Sequence, residues 1–170
     1  MKNSIIVLIA FSLICVEGHS QHMRTVSLEG ATISASLNHT YRNLVISEST
    51  PAYVQNLQTE AATYDIKKDP IYDKDITTYQ VLFTIKNGEI FATYDKDGNV
   101  LSTWEKFKNI TPPQTVRNSI YLKYPNWTFD KDLYKVSYYQ GKGATKIYQL
   151  KLRKGNVKKN LKVNADGKFL

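Results

Sequence analysis

The sequence predicts an α+β fold. Two tandem units, each with one helix and three to four antiparallel strands, are expected to form one sheet with both helices on one face. Three observations lead to this expectation: apolar and polar residues alternate around tight turns, a threonine-proline helix start occurs twice, and the two sets of elements repeat along the chain. The chain has 170 residues, which suits a single domain with a substantial core.

The strand signal comes from two matching hairpins. Apolar residues take every second position of segments 79–85 and 148–152, which is the period of a strand with one buried face. Each segment runs into a tight-turn pair, Asn87-Gly88 in the first and Lys154-Gly155 in the second. The two hairpins match at a constant separation of 67 residues, which indicates an internal duplication.

The helix signal is a threonine followed by proline. Thr50-Pro51 and Thr111-Pro112 each offer an N-cap and then a proline at the first helical position. Apolar residues at helical spacing follow both pairs. A short strand is predicted after the first helix, over residues 62–67. The units are therefore assigned to residues 48–108 and 109–170.

The first residues resemble an export signal. One lysine precedes a 12-residue apolar run, and small residues stand just before Gln21, so cleavage is predicted between Ser20 and Gln21. The only cysteine, Cys15, follows Ile14 rather than a small residue, which argues against a lipoprotein. The mature chain is expected to be periplasmic or secreted, with no transmembrane segment. Residues 21–47 are interpreted as an extended N-terminal arm.

The folded body lacks the side chains most used in catalysis. The histidines are His19, His22 and His39, and no histidine or cysteine occurs from residue 40 onward. This removes the commonest general base and the thiol nucleophile. No catalytic residue, cofactor or metal ligand is therefore predicted. A hydrolase built on paired carboxylates stays an alternative, and its candidate pairs are Asp73/Asp75, Asp95/Asp97 and Asp130/Asp132.

The stretch DKDG, residues 95–98, superficially resembles a calcium loop. An EF-hand needs its glycine at position 6 and a glutamate at position 12. Counted from Asp95, the glycine stands at position 4 and Lys106 at position 12. The later stretch NADG keeps the Asp-Gly pair without the first carboxylate. The pattern predicts a turn between strands.

Positive charge is concentrated in the second unit. Residues 133–170 hold ten Lys or Arg against one acidic residue. Strand alternation predicts that many of these face outward with aromatic rings among them, so that the sheet has a basic open face. The alternative is a solubilising surface. The candidate binding residues are Lys135, Tyr139, Gln149, Lys151, Arg153, Lys158 and Lys162.

The segments FATYDKDGNVLSTWEKFKNITPPQTVRNSIYLKYPNW and KIYQLKLRKGNVKKNLKVNADGKFL resemble the PepSY-like exported proteins of Bacteroidetes. The resemblance covers residues 48–170 and implies a fold similar to that of the β-lactamase inhibitory protein, which grips its enzyme with its sheet face. It implies no catalytic residues. The expected function is that of a non-enzymatic binding or inhibitor-like module for an envelope protein or peptide. Binding of anionic glycan or lipid headgroups is the alternative, and nucleic acid is not expected.

Overall fold

The fold is described by a computed structural model. It describes the backbone of residues 23–27 and all atoms of residues 38–170. The predicted cleavage site and most of the predicted arm lie outside the described residues. None of the helices within this described part is long and apolar enough to cross a bilayer.

The chain forms one sheet whose strands follow one another in chain order. Six strands form an antiparallel meander, and β1 adds to its edge in parallel to β2. The strands are β1 (Met23–Ser27), β2 (Thr78–Ile85), β3 (Gly88–Asp95), β4 (Val100–Lys108), β5 (Thr128–Tyr139), β6 (Gly143–Lys154) and β7 (Val157–Asn164). The α+β class is thus confirmed, with both predicted hairpins present as β2–β3 and β6–β7.

The two predicted helices are present, one or two residues later than expected. They are α2 (Ala52–Thr63) and α3 (Gln114–Lys123), with prolines 51 and 113 at their N-caps. The threonine N-caps are wrong: Thr50 Oγ1 donates instead to the carbonyl of Ser47, at 2.6 Å. A proline at the cap suits a helix start because its missing N–H would have no partner there.

A third helix, α1 (His39–Val45), was not predicted. It lies inside the segment interpreted as an extended arm, and that interpretation is wrong for these seven residues. Tyr41 and Val45 are fully buried. The buried side chain of Asn38 donates to the carbonyls of Ala62 and Gly98 and accepts from the amide of Val100. The short helix is held by these tertiary contacts rather than by its own propensity.

The strand predicted over residues 62–67 does not form. Helix α2 runs to Thr63, and Ile66–Lys68 form a turn of 3-10 helix. The carboxylate of Asp65 accepts a hydrogen bond from the amide of Lys67 and stabilises this turn. Ile66 is buried, so the apolar residue that suggested a strand serves as an anchor of the turn.

The core is built from alternate sheet residues and the buried sides of all three helices, in one cluster. Aromatic residues dominate its middle. Gly88, Phe107, Tyr134, Tyr148 and Val163 form one row across five strands. A Cβ on Gly88 would lie 2.8 Å from Phe107 Cε1, so only glycine fits beneath this ring. Burial of each such large side chain contributes about 1.5–3 kcal/mol to stability.

Candidate functional site

A hollow of about 870 Å³ lies on the second half of the sheet. Two neighbouring cross-strand rows line it. The first row is Lys108, Leu133, Gln149 and Lys162, and the second is Lys131, Lys151 and Asn160. These positions alternate with the buried Tyr148, Leu150 and Leu152, so they face away from the core. Leu170 closes one side of the hollow, where its amide donates to the carbonyl of Lys162.

The floor of the hollow is sheet backbone. Strands β5, β6 and β7 pair without interruption beneath both rows. Leu150 and Leu161 line the hollow from positions between the rows, yet both side chains are buried in the core. Asp132 also lies between the rows, and its carboxylate accepts a hydrogen bond from the amide of Ile110. Burial raises the pKa of Asp132, and that hydrogen bond partly offsets the effect.

The charged side chains that line the hollow are mostly positive. Four lysines line it and Asp132 is the one acidic residue among the lining side chains. Lys131 and Lys151 stand directly opposite each other on β5 and β6, an arrangement of like charges that destabilises a sheet. Within residues 38–170, none of the four lysines makes an ion pair. The hollow therefore holds uncompensated positive charge.

A half-exposed aromatic residue lies on the same face as the hollow. Leu82, Phe91, Trp104 and Ser137 form a cross-strand row that lies four residues along β4 and β5 from the nearer lysine row. The Trp104 side chain is 50% exposed. The ammonium of Lys135 sits 5.7 Å from the centre of its ring, within cation–π range.

The seven candidate residues from the sequence are spread over this face. Gln149, Lys151 and Lys162 come together in the hollow, and Lys135 contacts Trp104. Arg153 forms an ion pair with Asp130 at 3.0 Å, opposite Lys158 in the register. Tyr139 is exposed at the far end of β5, separate from the hollow.

Sequence reasoning missed Lys108, Lys131 and Leu133 of the hollow. The alternation around Lys131 is broken by a register shift between Phe129 and Lys131. Lys108 belongs to residues 21–132, where 12 basic and 13 acidic residues nearly balance. Leu133 stands opposite Gln149 in the register of β5 and β6, a pairing for which the sequence carries no local signal. Strand alternation after the Lys154-Gly155 turn also predicts that Val157 faces the core. This prediction is wrong, because the side chain is 61% exposed at the hairpin end.

The DKDG stretch forms a turn that uses its carboxylate internally. The Asp95 carboxylate accepts from the amides of Asp97 and Asn99, and Gly98 has a φ of 89°. In the second turn, Asn164 accepts from the amides of Asp166 and Lys168 in the same pattern. Burial raises the pKa of Asp95, but the hydrogen bonds from Asn99, Asp97 and Gly98 outweigh it and hold the pKa below its usual value. Within residues 38–170, no three potential metal-ligating side chains are grouped.

This geometry predicts the effect of substitutions at Asp95. Asp95→Asn copies the second turn, and we expect it to change the free energy of unfolding by less than about 0.5 kcal/mol at pH 7. Asp95→Ala removes the acceptor and should cost about 1 kcal/mol. Because the pKa is lowered on folding, the Asp95 contribution should fade as the pH falls through the folded pKa. Urea unfolding of wild type and the two variants, with and without added Ca²⁺, measures these changes in the free energy of unfolding. A calcium-dependent stabilisation of wild type alone would contradict the turn interpretation.

A buried carboxylate is the second chemically unusual group. Glu105 on β4 has no exposed surface. It accepts hydrogen bonds from Tyr41 Oη at 2.9 Å, Gln58 Nε2 at 2.7 Å and Thr103 Oγ1 at 2.9 Å. Burial raises the pKa of Glu105, and these three hydrogen bonds partly offset the effect. With no access from solvent, the group joins α1 and α2 to the sheet and is a structural element of the core.

No protein-family model matches the chain, and no curated protein matches it. Among solved structures, the chain is similar to a DUF2874 family protein from Bacteroides ovatus, with 18% identity over 73% of this chain and 86% of that chain and a TM-score of 0.35. A similarity of this size carries no argument about activity or partners.

Proposed function

We propose that this chain is an exported, non-enzymatic binding module that engages an envelope protein or peptide through the outer face of its sheet. The outer face is the side turned away from the buried cluster, and it includes the hollow and the Trp104 row. Residues 1–20 serve as the export signal, and the mature protein works in the periplasm or outside the cell. Residues 48–108 and 109–170 form two tandem units whose helices share one face of the sheet.

The observation that carries the proposal is the half-exposed Trp104 on the same face as the uncompensated lysines. Tryptophan and tyrosine are enriched where proteins bind partners, and a positive patch steers an acidic partner to its site. The shared cluster of α1, α2 and α3 with alternate sheet residues supports an outer face left free for binding. The matching turns at Asp95 and Asn164 support the two-unit arrangement.

The carboxylates favour binding over hydrolysis. A two-carboxylate glycosidase needs both groups in one cleft, roughly 5–10 Å apart. The hollow has Asp132 as its one acidic lining residue. Asp95 is engaged in its turn, Asp130 is paired with Arg153, and Glu105 is enclosed in the core.

A crosslinking pull-down tests the function. Residues 21–170 would be crosslinked in a periplasmic extract, beside a variant with Lys151, Arg153, Lys158 and Lys162 changed to Glu. The control changes four exposed lysines elsewhere to Glu, with the same change in net charge: Lys74, Lys86, Lys96 and Lys142. We expect wild type and the control to recover one protein partner and the face variant to lose it. Equal recovery by all three would mean that the basic face is a solubilising surface.

A further inference from the structure

We infer that the hollow is the specificity site of this module and takes an acidic peptide segment that also carries aliphatic side chains. This inference rests on the proposed function and names the chemistry of its partner. It begins from the two lysines held directly opposite each other, Lys131 and Lys151. Asp130, which precedes Lys131, forms its ion pair with Arg153 instead. Such a pair is unfavourable in the free protein, and a bound carboxylate between the two ammonium groups relieves the repulsion.

The remaining lining groups complement a peptide. Leu133 and Leu170 supply apolar surface on the floor and at the side, which suits aliphatic side chains of a ligand. The amides of Gln149 and Asn160 each provide donors and an acceptor, which matches the N–H and C=O groups of a peptide backbone. Lys108 and Lys162 stand at the two ends of the first row, so carboxylates spaced along an extended segment meet positive charge at each end.

The same geometry disfavours a lipid or a glycan. The floor is continuously paired strand backbone over the buried Leu150 and Leu161, so an acyl chain finds no channel into the core. Trp, Tyr and Phe do not occur among the side chains that line the hollow, so a sugar ring finds no flat aromatic surface to lie against. An acidic-aliphatic peptide uses the lysines, the leucines and the side-chain amides of the lining.

Fluorescence anisotropy with three labelled peptides tests the inference. One alternates Glu and Leu, the second replaces each Leu with Gly, and the third replaces each Glu with Lys. The hollow variant is Lys131→Glu with Lys151→Glu, which keeps like charges opposite each other. The control is Lys142→Glu with Lys154→Glu, both exposed, outside the hollow and equal in net charge change. Circular dichroism checks that both variants fold.

We expect wild type and the control to bind the Glu-Leu peptide, with affinity falling as salt rises, and the hollow variant to bind it at least roughly tenfold more weakly. The Glu-Gly peptide should bind more weakly than the Glu-Leu peptide, and the Lys-Leu peptide should not bind wild type. Vesicles containing phosphatidylglycerol and an oligogalacturonate serve as competing probes and should bind less well.

Three results would overturn the inference. Equal weakening of both variants would show attraction by net charge alone. Preference for the vesicles or the oligogalacturonate would assign the hollow to lipid or glycan. Failure of the Glu-Leu peptide to bind, while the pull-down still recovers a partner through the outer face, would reject this specificity and leave the proposed function standing. Peptide binding without any recovered partner would instead count against the envelope-protein target alone.

Discussion

Replacing Glu105 with alanine is expected to lower the free energy of unfolding by about 3 kcal/mol or more, because three buried donors lose their acceptor and a cavity opens. Tyr41, Gln58 and Thr103 all direct hydrogens at this carboxylate. These three donors cannot bond to water instead, because they and Glu105 are all buried. In a domain of this size, the loss corresponds to a fall in Tm of about 10 °C.

Glu105→Gln is the matched control. Tyr41 and Thr103 both donate to Oε1, and an amide oxygen can accept from both. The new amide nitrogen would face Gln58, whose Oε1 has no hydrogen-bond partner. A flip of the Gln58 amide turns that oxygen toward the new donor. We therefore expect Glu105→Gln to fold with nearly the stability of wild type, which separates the loss of charge from the loss of acceptors.

The same pair of proteins reports the pKa of Glu105. Folding raises this pKa through burial, so the folded state holds the proton more tightly than the unfolded state. The stability from this group is fully present below the unfolded pKa, about 4.3, and is lost as the pH rises through the folded pKa. As the pH rises from the unfolded pKa to the folded pKa of Glu105, wild type should therefore lose stability relative to Glu105→Gln. Parallel curves from urea titrations between pH 4 and 8 would contradict the raised pKa.

Gly167→Ala is expected to be the most damaging of the turn substitutions. Gly167 has a φ of 84°, and a Cβ there would lie 3.0 Å from the carbonyl oxygen of Thr115 on α3 and overlap the hydroxyl of Ser119. The positive φ costs about 1 kcal/mol, and the forced shift against the helix adds roughly 1–3 kcal/mol. The turn at Gly167 is in close contact with α3, so the clash with the new Cβ can be relieved only if the turn or the helix moves.

Gly141→Ala is the control for backbone strain. Its φ is 76°, but a Cβ there meets no atom within 4 Å. Thermal unfolding of both variants should show a small fall in Tm for Gly141→Ala and a clearly larger fall for Gly167→Ala. Adding Ser119→Ala to Gly167→Ala should recover only part of the loss, since the Thr115 carbonyl remains in place. Equal effects at the two glycines would mean that the turn does not press on α3.

Local patterns predicted much of the fold because the hydrogen bonds involved are local. The hairpins at Asn87-Gly88 and Lys154-Gly155 formed where turn residues and alternation agreed. The predicted strand at 62–67 did not form, also because of a local hydrogen bond. The side chain of Asp65 accepts a hydrogen bond from the backbone amide of Lys67, two residues on, and this local bond favoured a 3-10 turn over an extended strand.

Helix α1 and the buried Glu105 depend on distant partners. Tyr41 reaches Glu105 from 64 residues away, and Asn38 reaches Val100 from 62 residues away. The seven residues of α1 hold three large apolar side chains, Tyr41, Leu44 and Val45, which is too short a pattern to predict burial, and Leu44 is exposed. A glutamate in β4 between Trp104 and Lys106 looks exposed until Gln58 and Thr103 are found beside it.

The sequence by itself determined the α+β class, the two hairpins β2–β3 and β6–β7, the positions of two helices and the excess of positive charge in residues 133–170. The period of side chains along a strand and the chemistry of a turn act over a few residues and can be read from the chain. Only the tertiary structure decided that Lys108, Lys131, Lys151 and Lys162 surround one hollow. Lateral neighbours in a sheet are set by register between strands, which depends on a bulge near Lys131 and on packing across the whole core.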